Sequence, residues 1–180
     1  MQHMISRTAL LVLIFNVRLN ADVVITERPD RIQVKIEDQI FTEWRHQDWV
    51  APFLYPVVGP NGENVTRHYP MKAGVPGEDP DHPHHRSIRF SHSDINGFNF
   101  WWAPGKPLAG HTAEIRLEKI EKASSGKSGE LILWNQWLGD GKVVVRERVR
   151  LTFIPLTNRQ LLMDYDIDLH AVDVPVLIGD

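Results

Sequence analysis

After residue 22 the chain alternates apolar and polar residues with a period of two, and this constrains its fold more than any other feature. In residues 143 to 153, Val143, Val145, Val149, Leu151 and Phe153 fall on one face, with Arg146, Arg148 and Arg150 on the other. In residues 159 to 169, Leu161, Met163, Tyr165, Ile167 and Leu169 alternate with Asp164, Asp166 and Asp168. Successive side chains of a strand point to opposite sides, so each segment reads as a strand with one buried face. Folding the two about residues 155 to 159 predicts the pairs Arg150–Asp164, Arg148–Asp166 and Arg146–Asp168. Opposite charges directly across an antiparallel pair contribute roughly 0.2–1 kcal/mol each. The aspartates therefore read as a solvated face, not a catalytic carboxylate cluster. Glu147 interrupts the apolar face and reads as a rim residue, the alternative being a buried acid.

The same pattern recurs upstream. Ile32, Val34 and Ile36 alternate with Arg31, Gln33 and Lys35, and Glu37-Asp38 turns that strand into residues 39 to 44. Residues 52 to 58 form a further strand, closed by the turn Gly59-Pro60-Asn61-Gly62. Residues 112 to 122, 130 to 138 and 143 to 153 read as a meander. Gly74, Pro76, Gly77, Pro80 and Pro83 break any ladder, so residues 71 to 83 read as an ordered loop. No long segment carries a 3.6-residue apolar period. The expected fold is all-β, an antiparallel β-sandwich of two packed sheets, formed by a single domain over residues 22 to 180.

With 180 residues, the chain is long enough for one domain with a core. Its net charge of −3, with basic and acidic residues interleaved, lacks the basic stripe of a nucleic-acid partner. Residues 1 to 21 read as an export signal: Arg7 precedes an apolar stretch from residue 8 to 15, and Leu19-Asn20-Ala21 ends on a small residue. The apolar stretch falls well short of the ~20 residues of a spanning helix, so no integral membrane span is expected. Export with no cysteine points to a bacterial periplasmic or secreted protein.

The densest chemistry is Asp81-His82-Pro83-His84-His85-Arg86, followed by His92 and Asp94. Four of the nine histidines fall within eleven residues. Imidazole titrates near neutrality and is the commonest metal ligand, so two chemistries stay open. In one, His84, His85 and His92 act as catalytic acid or base while Arg86 and Arg67 orient oxygens. In the other, His82, His84 and His92 hold a divalent metal with Asp81 or Asp94. A strand from residue 84 to 92 would bring His84, Arg86 and His92 to one face, with His85, Ser87 and Arg89 opposite. His82 and His84 form the His-x-His pair that a cupin barrel uses, but Ile88 and Arg89 stand where a cupin needs a glutamate. Downstream, Asn96-Gly97-Phe98-Asn99-Phe100-Trp101-Trp102 offers flat aromatic faces and amides, which suit a sugar ring. If that segment is extended, Trp101 and Trp102 face opposite ways.

Tyr55-Pro56, Gly59-Pro60-Asn61-Gly62, Val65-Thr66-Arg67, Tyr69-Pro70, Asp81 through Ser87 and Asp94-Ile95-Asn96-Gly97 through Trp101 carry a family resemblance. The chain resembles the exported bacterial proteins of unknown function (DUF6807-like) that are labelled "methane oxygenase PmoA". The label implies a metal oxygenase. The resemblance also implies a β-sandwich similar to the galactose mutarotase-like supersandwich, in bacteria that degrade carbohydrates. Members are usually longer, which implies an N-terminal fragment with an incomplete sandwich. Together these expectations describe an exported carbohydrate-active protein using His84, His85 and His92 in acid–base roles, with Arg67, Arg86, Asn96 and Trp101 on the sugar. A non-catalytic sugar-binding module is the alternative.

Overall fold

The computed structural model describes residues 22–102, 110–156 and 160–179. The export signal expected over residues 1 to 21 lies outside them. Every regular element described is a strand, and the strands form two four-stranded antiparallel sheets. The first contains β1 (Val23–Glu27), β2 (Arg31–Ile36), β3 (Gln39–Arg45) and β4 (Phe53–Val57) in sequential order. The second contains β5 (Ala113–Ser124), β6 (Gly129–Gly139), β7 (Lys142–Pro155) and β8 (Leu161–Ala171), also sequential. The fold is all-β and sandwich-like, as the alternation requires.

Two tight hairpins follow directly from local sequence. Ile36 pairs with Gln39, leaving Glu37 and Asp38 as the turn, both at positive φ of 50° and 62°. Gly139 pairs with Lys142 across Asp140 (φ 47°) and Gly141 (φ 76°). Two successive positive φ values make the mirror-image turn whose twist matches paired strands.

The sheets meet where β1 runs over the β5–β6 turn. Val23 and Gly126 exchange backbone hydrogen bonds of 2.7 and 2.9 Å. Gly129 follows, and a Cβ there would stand 2.5 Å from a Val23 methyl, so β1 can lie this close only over glycine. The main core fills the space between the sheets, with Ile32, Val34, Trp44 and Leu54 facing Leu131, Leu133, Val149, Leu151 and Phe153. A second core, around Ala51, Ile95, Phe100, Ile115, Trp137 and Val145, lies under the irregular segment between β4 and β5.

The expected β7–β8 pair forms, but its register differs by two residues. Arg150 faces Asp166, Arg148 faces Asp168 and Arg146 faces His170. The connection is longer than expected: Pro155 pairs with Leu161, and the Leu156 N–H donates to the Gln160 carbonyl at 2.8 Å. An even shift preserves which face each residue occupies, so burial cannot distinguish the two registers. The ion pairs that form are Arg150–Asp166 and Arg148–Asp168, both long at 3.9 Å. Arg148 instead bonds Glu121 on β5 through Nε at 3.1 Å and Nη2 at 2.8 Å.

Two outcomes follow. Backbone NOEs across the last hairpin should connect Arg150 with Asp166, not with Asp164. In urea denaturation, Leu133→Ala should cost about 2–5 kcal/mol, because the side chain is fully buried. Leu162→Ala, at an exposed position, should stay within about 0.5 kcal/mol.

Candidate functional site

No strand forms among the described residues between β4 and β5, so the expected strand from residue 84 to 92 is not formed. Its alternation breaks at Ser87, which adopts a positive φ of 47° and donates its hydroxyl to Thr66 Oγ1 at 2.8 Å. Only Ile88 joins a sheet, bridging to Leu54 of β4 through a 2.8 Å bond from the Leu54 N–H.

Upstream polar residues brace this segment. Asn64 Oδ1 accepts from the Val57 N–H at 2.8 Å, and Tyr55 Oη meets His68 Nδ1 at 2.8 Å. The Glu78 carboxylate accepts from the backbone of His68 and Tyr69, and these bonds lower its pKa. Arg67, expected to orient substrate, uses Nη2 on the loop itself: on the Asp79 carbonyl, the Asp81 carbonyl at 2.8 Å and Asp81 Oδ1 at 2.6 Å. Asp81 also meets His82 Nδ1 at 2.8 Å, and hydrogen bonds from His82 and Arg67 hold its carboxyl below the usual range.

Those contacts place three imidazoles and two indoles together. His82 stacks on His85 with centroids 5.0 Å apart, and His84 meets His85 edge-on at 4.3 Å. Trp102 stacks on His84 at 4.7 Å, while Trp101 approaches His84 at 6.2 Å and His85 at 5.6 Å. His84 is only 5% exposed, whereas Trp101 and Trp102 are 37% and 42% exposed. The segment is not extended, and both indoles approach one imidazole. Asn99 Oδ1 accepts from the backbone N–H of Trp101 at 3.0 Å and of Trp102 at 3.1 Å, the local side-chain turn that asparagine favours. Burial, then the positive charges of His82, Arg67 and Arg89, push the His85 pKa below the ordinary imidazole value; Asp81 pulls the other way.

Arginines extend the cluster. The Arg89 guanidinium stands 5.1 Å from the Trp101 ring and 4.7 Å from Trp49. Arg86 stands 4.9 Å from Trp49 and 5.5 Å from Phe53. Arg89 and Trp49 were not among the expected site residues; the strand model put Arg89 on the wrong face. Trp49 also lines a cleft of about 410 Å³ between the sheets, with His46, Gln47, Glu114 and Arg116.

His92, Asp94 and Asn96 belong to a turn that grips the C-terminal segment. His92 Nδ1 accepts from the Asp94 N–H at 3.2 Å, and its carbonyl accepts from Phe100 at 3.0 Å. Asp94 Oδ1 accepts from the Gly97 N–H at 2.8 Å. Asn96 Oδ1 accepts from the Leu177 N–H at 2.7 Å. Among the described residues, no group of three or more histidine, aspartate or glutamate side chains is placed to hold a metal ion. The candidates His82, His84, His92, Asp81 and Asp94 therefore do not assemble into a ligand set.

Glu147 is a buried acid and not a rim residue, at 2% exposed. Its Oε2 accepts from Asn135 Nδ2 at 2.9 Å and Trp137 Nε1 at 3.1 Å, and Trp137 packs beneath Phe90 and Phe100. Burial raises the Glu147 pKa above 4.5, against the pull of those two bonds. A raised pKa favours the neutral acid in the fold. Its contribution is therefore full below about pH 4.5 and declines as pH rises through the folded value. Glu147→Gln keeps an acceptor and cannot ionise. It should be more stable than the parent to urea at pH 7 and equal to it at pH 4.

No curated protein and no solved structure matches the chain. Residues 31–180 match the model described as "Family of unknown function (DUF6807)", and the chain belongs to that family.

Proposed function

We propose that this is an exported carbohydrate-active protein that seats a sugar against Trp101 and Trp102 and moves a proton through His85. The observation that carries the reading is the juxtaposition of two half-exposed indoles with three imidazoles, the outer two of which are solvent-accessible. An indole face packs on the C–H face of a pyranose, and neighbouring polar groups reach its hydroxyls. His85 supplies the chemistry. Its lowered pKa leaves it neutral at pH 7 and able to accept a proton. His84, closed in beneath Trp102, orders the rings around it. His92 stands in the neighbouring turn, where its carbonyl accepts from the Phe100 N–H at 3.0 Å. Export rests on the pattern of residues 1 to 21 and the absence of cysteine.

One observation favours a non-catalytic binding module: the exposed indoles alone would suffice to hold a sugar. The metal oxygenase implied by the family label has less support, since its candidate ligands fall into two separate groups.

The two sugar readings separate by mutation. In a screen of sugars and keto-sugars, His85→Ala should lower kcat/KM by about 10²–10⁴-fold while sugar affinity is retained. Trp101→Ala should weaken binding itself. Activity should rise with pH and level off, with a midpoint below the ordinary imidazole value of 6.5, because the base must be unprotonated. Unchanged turnover in His85→Ala would leave the binding module as the better account.

A further inference from the structure

Two guanidinium groups flank Trp49 with no carboxylate to match them among the described residues. Arg86 is half-buried, and its Nε is fully shielded with no hydrogen-bond partner among the described residues. Among the described residues no ion pair reaches it; the nearby carboxylate, Asp48, is held by Arg45 Nε at 2.6 Å. Arg89 donates to the Phe100 carbonyl at 3.4 Å and the Trp101 carbonyl at 2.5 Å, which are neutral acceptors. Burial lowers the pKa of both groups, bringing Arg89 to about 10, and Arg86 adds repulsion at Arg89. Taking like charges out of water without a counter-ion is costly, and stacking on indole offsets only part of that cost. An anion arriving there would meet a fork of donors already stripped of water.

The contacts run without a break from His85 to Trp101 at 5.6 Å, Trp101 to Arg89 at 5.1 Å, Arg89 to Trp49 at 4.7 Å, and Trp49 to Arg86 at 4.9 Å. Flat aromatic faces and cations thus alternate over more than the width of one sugar ring. We propose that the site takes an acidic oligosaccharide, with Arg86 holding a uronate carboxylate and the exposed Trp101 and Trp102 supporting the rings. This deepens the carbohydrate reading and rests on it. Arg86 is the specificity determinant, because its Nε has no hydrogen-bond partner among the described residues. Arg89, which holds two loop carbonyls, supplies charge and order.

The test uses the full chain and trimers of galacturonate, glucuronate and mannuronate. Each is paired with its methyl ester, which removes only the charge, and binding is followed by tryptophan fluorescence and calorimetry. At least one acid trimer should bind about ten- to a hundredfold more tightly than its ester, with the margin shrinking as salt rises. Arg86→Met should erase that margin, bringing acid and ester to the same affinity, and keep the melting temperature at or above the parent's. Equal binding of acid and ester, or binding of neutral sugars alone, overturns the proposal while the carbohydrate reading stands. Binding of no sugar at all removes both. If inorganic sulfate binds at Arg86 and no uronate does, or if Arg86→Met unfolds, the arginine is an anion or packing residue and the proposal fails.

Discussion

The position of the histidine segment depends on the bridge between Leu54 and Ile88. The described residues between β4 and β5 have no ladder of their own, so their backbone groups must find partners one at a time. Leu54 is fully buried and lies in the main core, and its N–H reaches the Ile88 carbonyl at 2.8 Å. That bond places Arg86 and Arg89 on either side of a fixed point, close enough to Trp49 for both to stack. Ser87 and Thr66 then set the upstream half, and Arg67 ties residues 79 and 81 so that His82 folds back over His85. A rigid strand edge with a well-bonded loop across it can hold side chains in place without the loop being regular.

The alternation of strand residues made the fold legible because burial on one face acts on every second residue at once. It identified the hairpin at Glu37-Asp38 and the meander from residue 112 onward. It could not set the β7–β8 register, because a shift of two leaves Val149, Leu151 and Phe153 inside and the arginines outside. Loop length decides that, and the Leu156–Gln160 bond is a backbone contact that no side-chain pattern announces. The same reasoning failed where it was carried past Pro83. A period of two predicts faces only where a ladder enforces it, and one positive φ at Ser87 is enough to end it. Hence His84 and His85, expected on opposite faces, touch each other, and Arg89 joins the aromatic cluster.

The family motif residues divide into architecture and chemistry in a way that their spacing could not indicate. Tyr55, Asn64, Thr66, Arg67 and Asn96 spend their polar groups on the backbone or on neighbouring side chains. Such residues order a loop but leave few donors for a ligand. His85, Trp101 and Trp102 differ, since each presents accessible surface beside a partner that fixes its orientation. The signal that could have separated these groups was the clustering of turn formers, Asn61-Gly62 and Asn99 above all, which marks where side-chain amides are already committed.

Glu147 and the two arginines beside Trp49 illustrate opposite solutions to the same problem. Glu147 lies on the inward face of β7 in a setting that favours its neutral form, so the cost of burying it is met by a proton. Arginine has no such recourse near neutral pH, since even a lowered guanidinium pKa stays far above it. Among the described residues, Arg86 therefore keeps its charge while its Nε lacks a partner, and Arg89 keeps its charge on carbonyl oxygens. Ser91 Oγ in the same segment is also buried without a partner, but a neutral hydroxyl left so costs far less than an unmatched cation. A fold that stabilised only itself would lose nothing by replacing Arg86 with an apolar side chain against Trp49 and Phe53. That the charge sits there, one indole away from the imidazole cluster, argues that its counter-ion comes with the ligand.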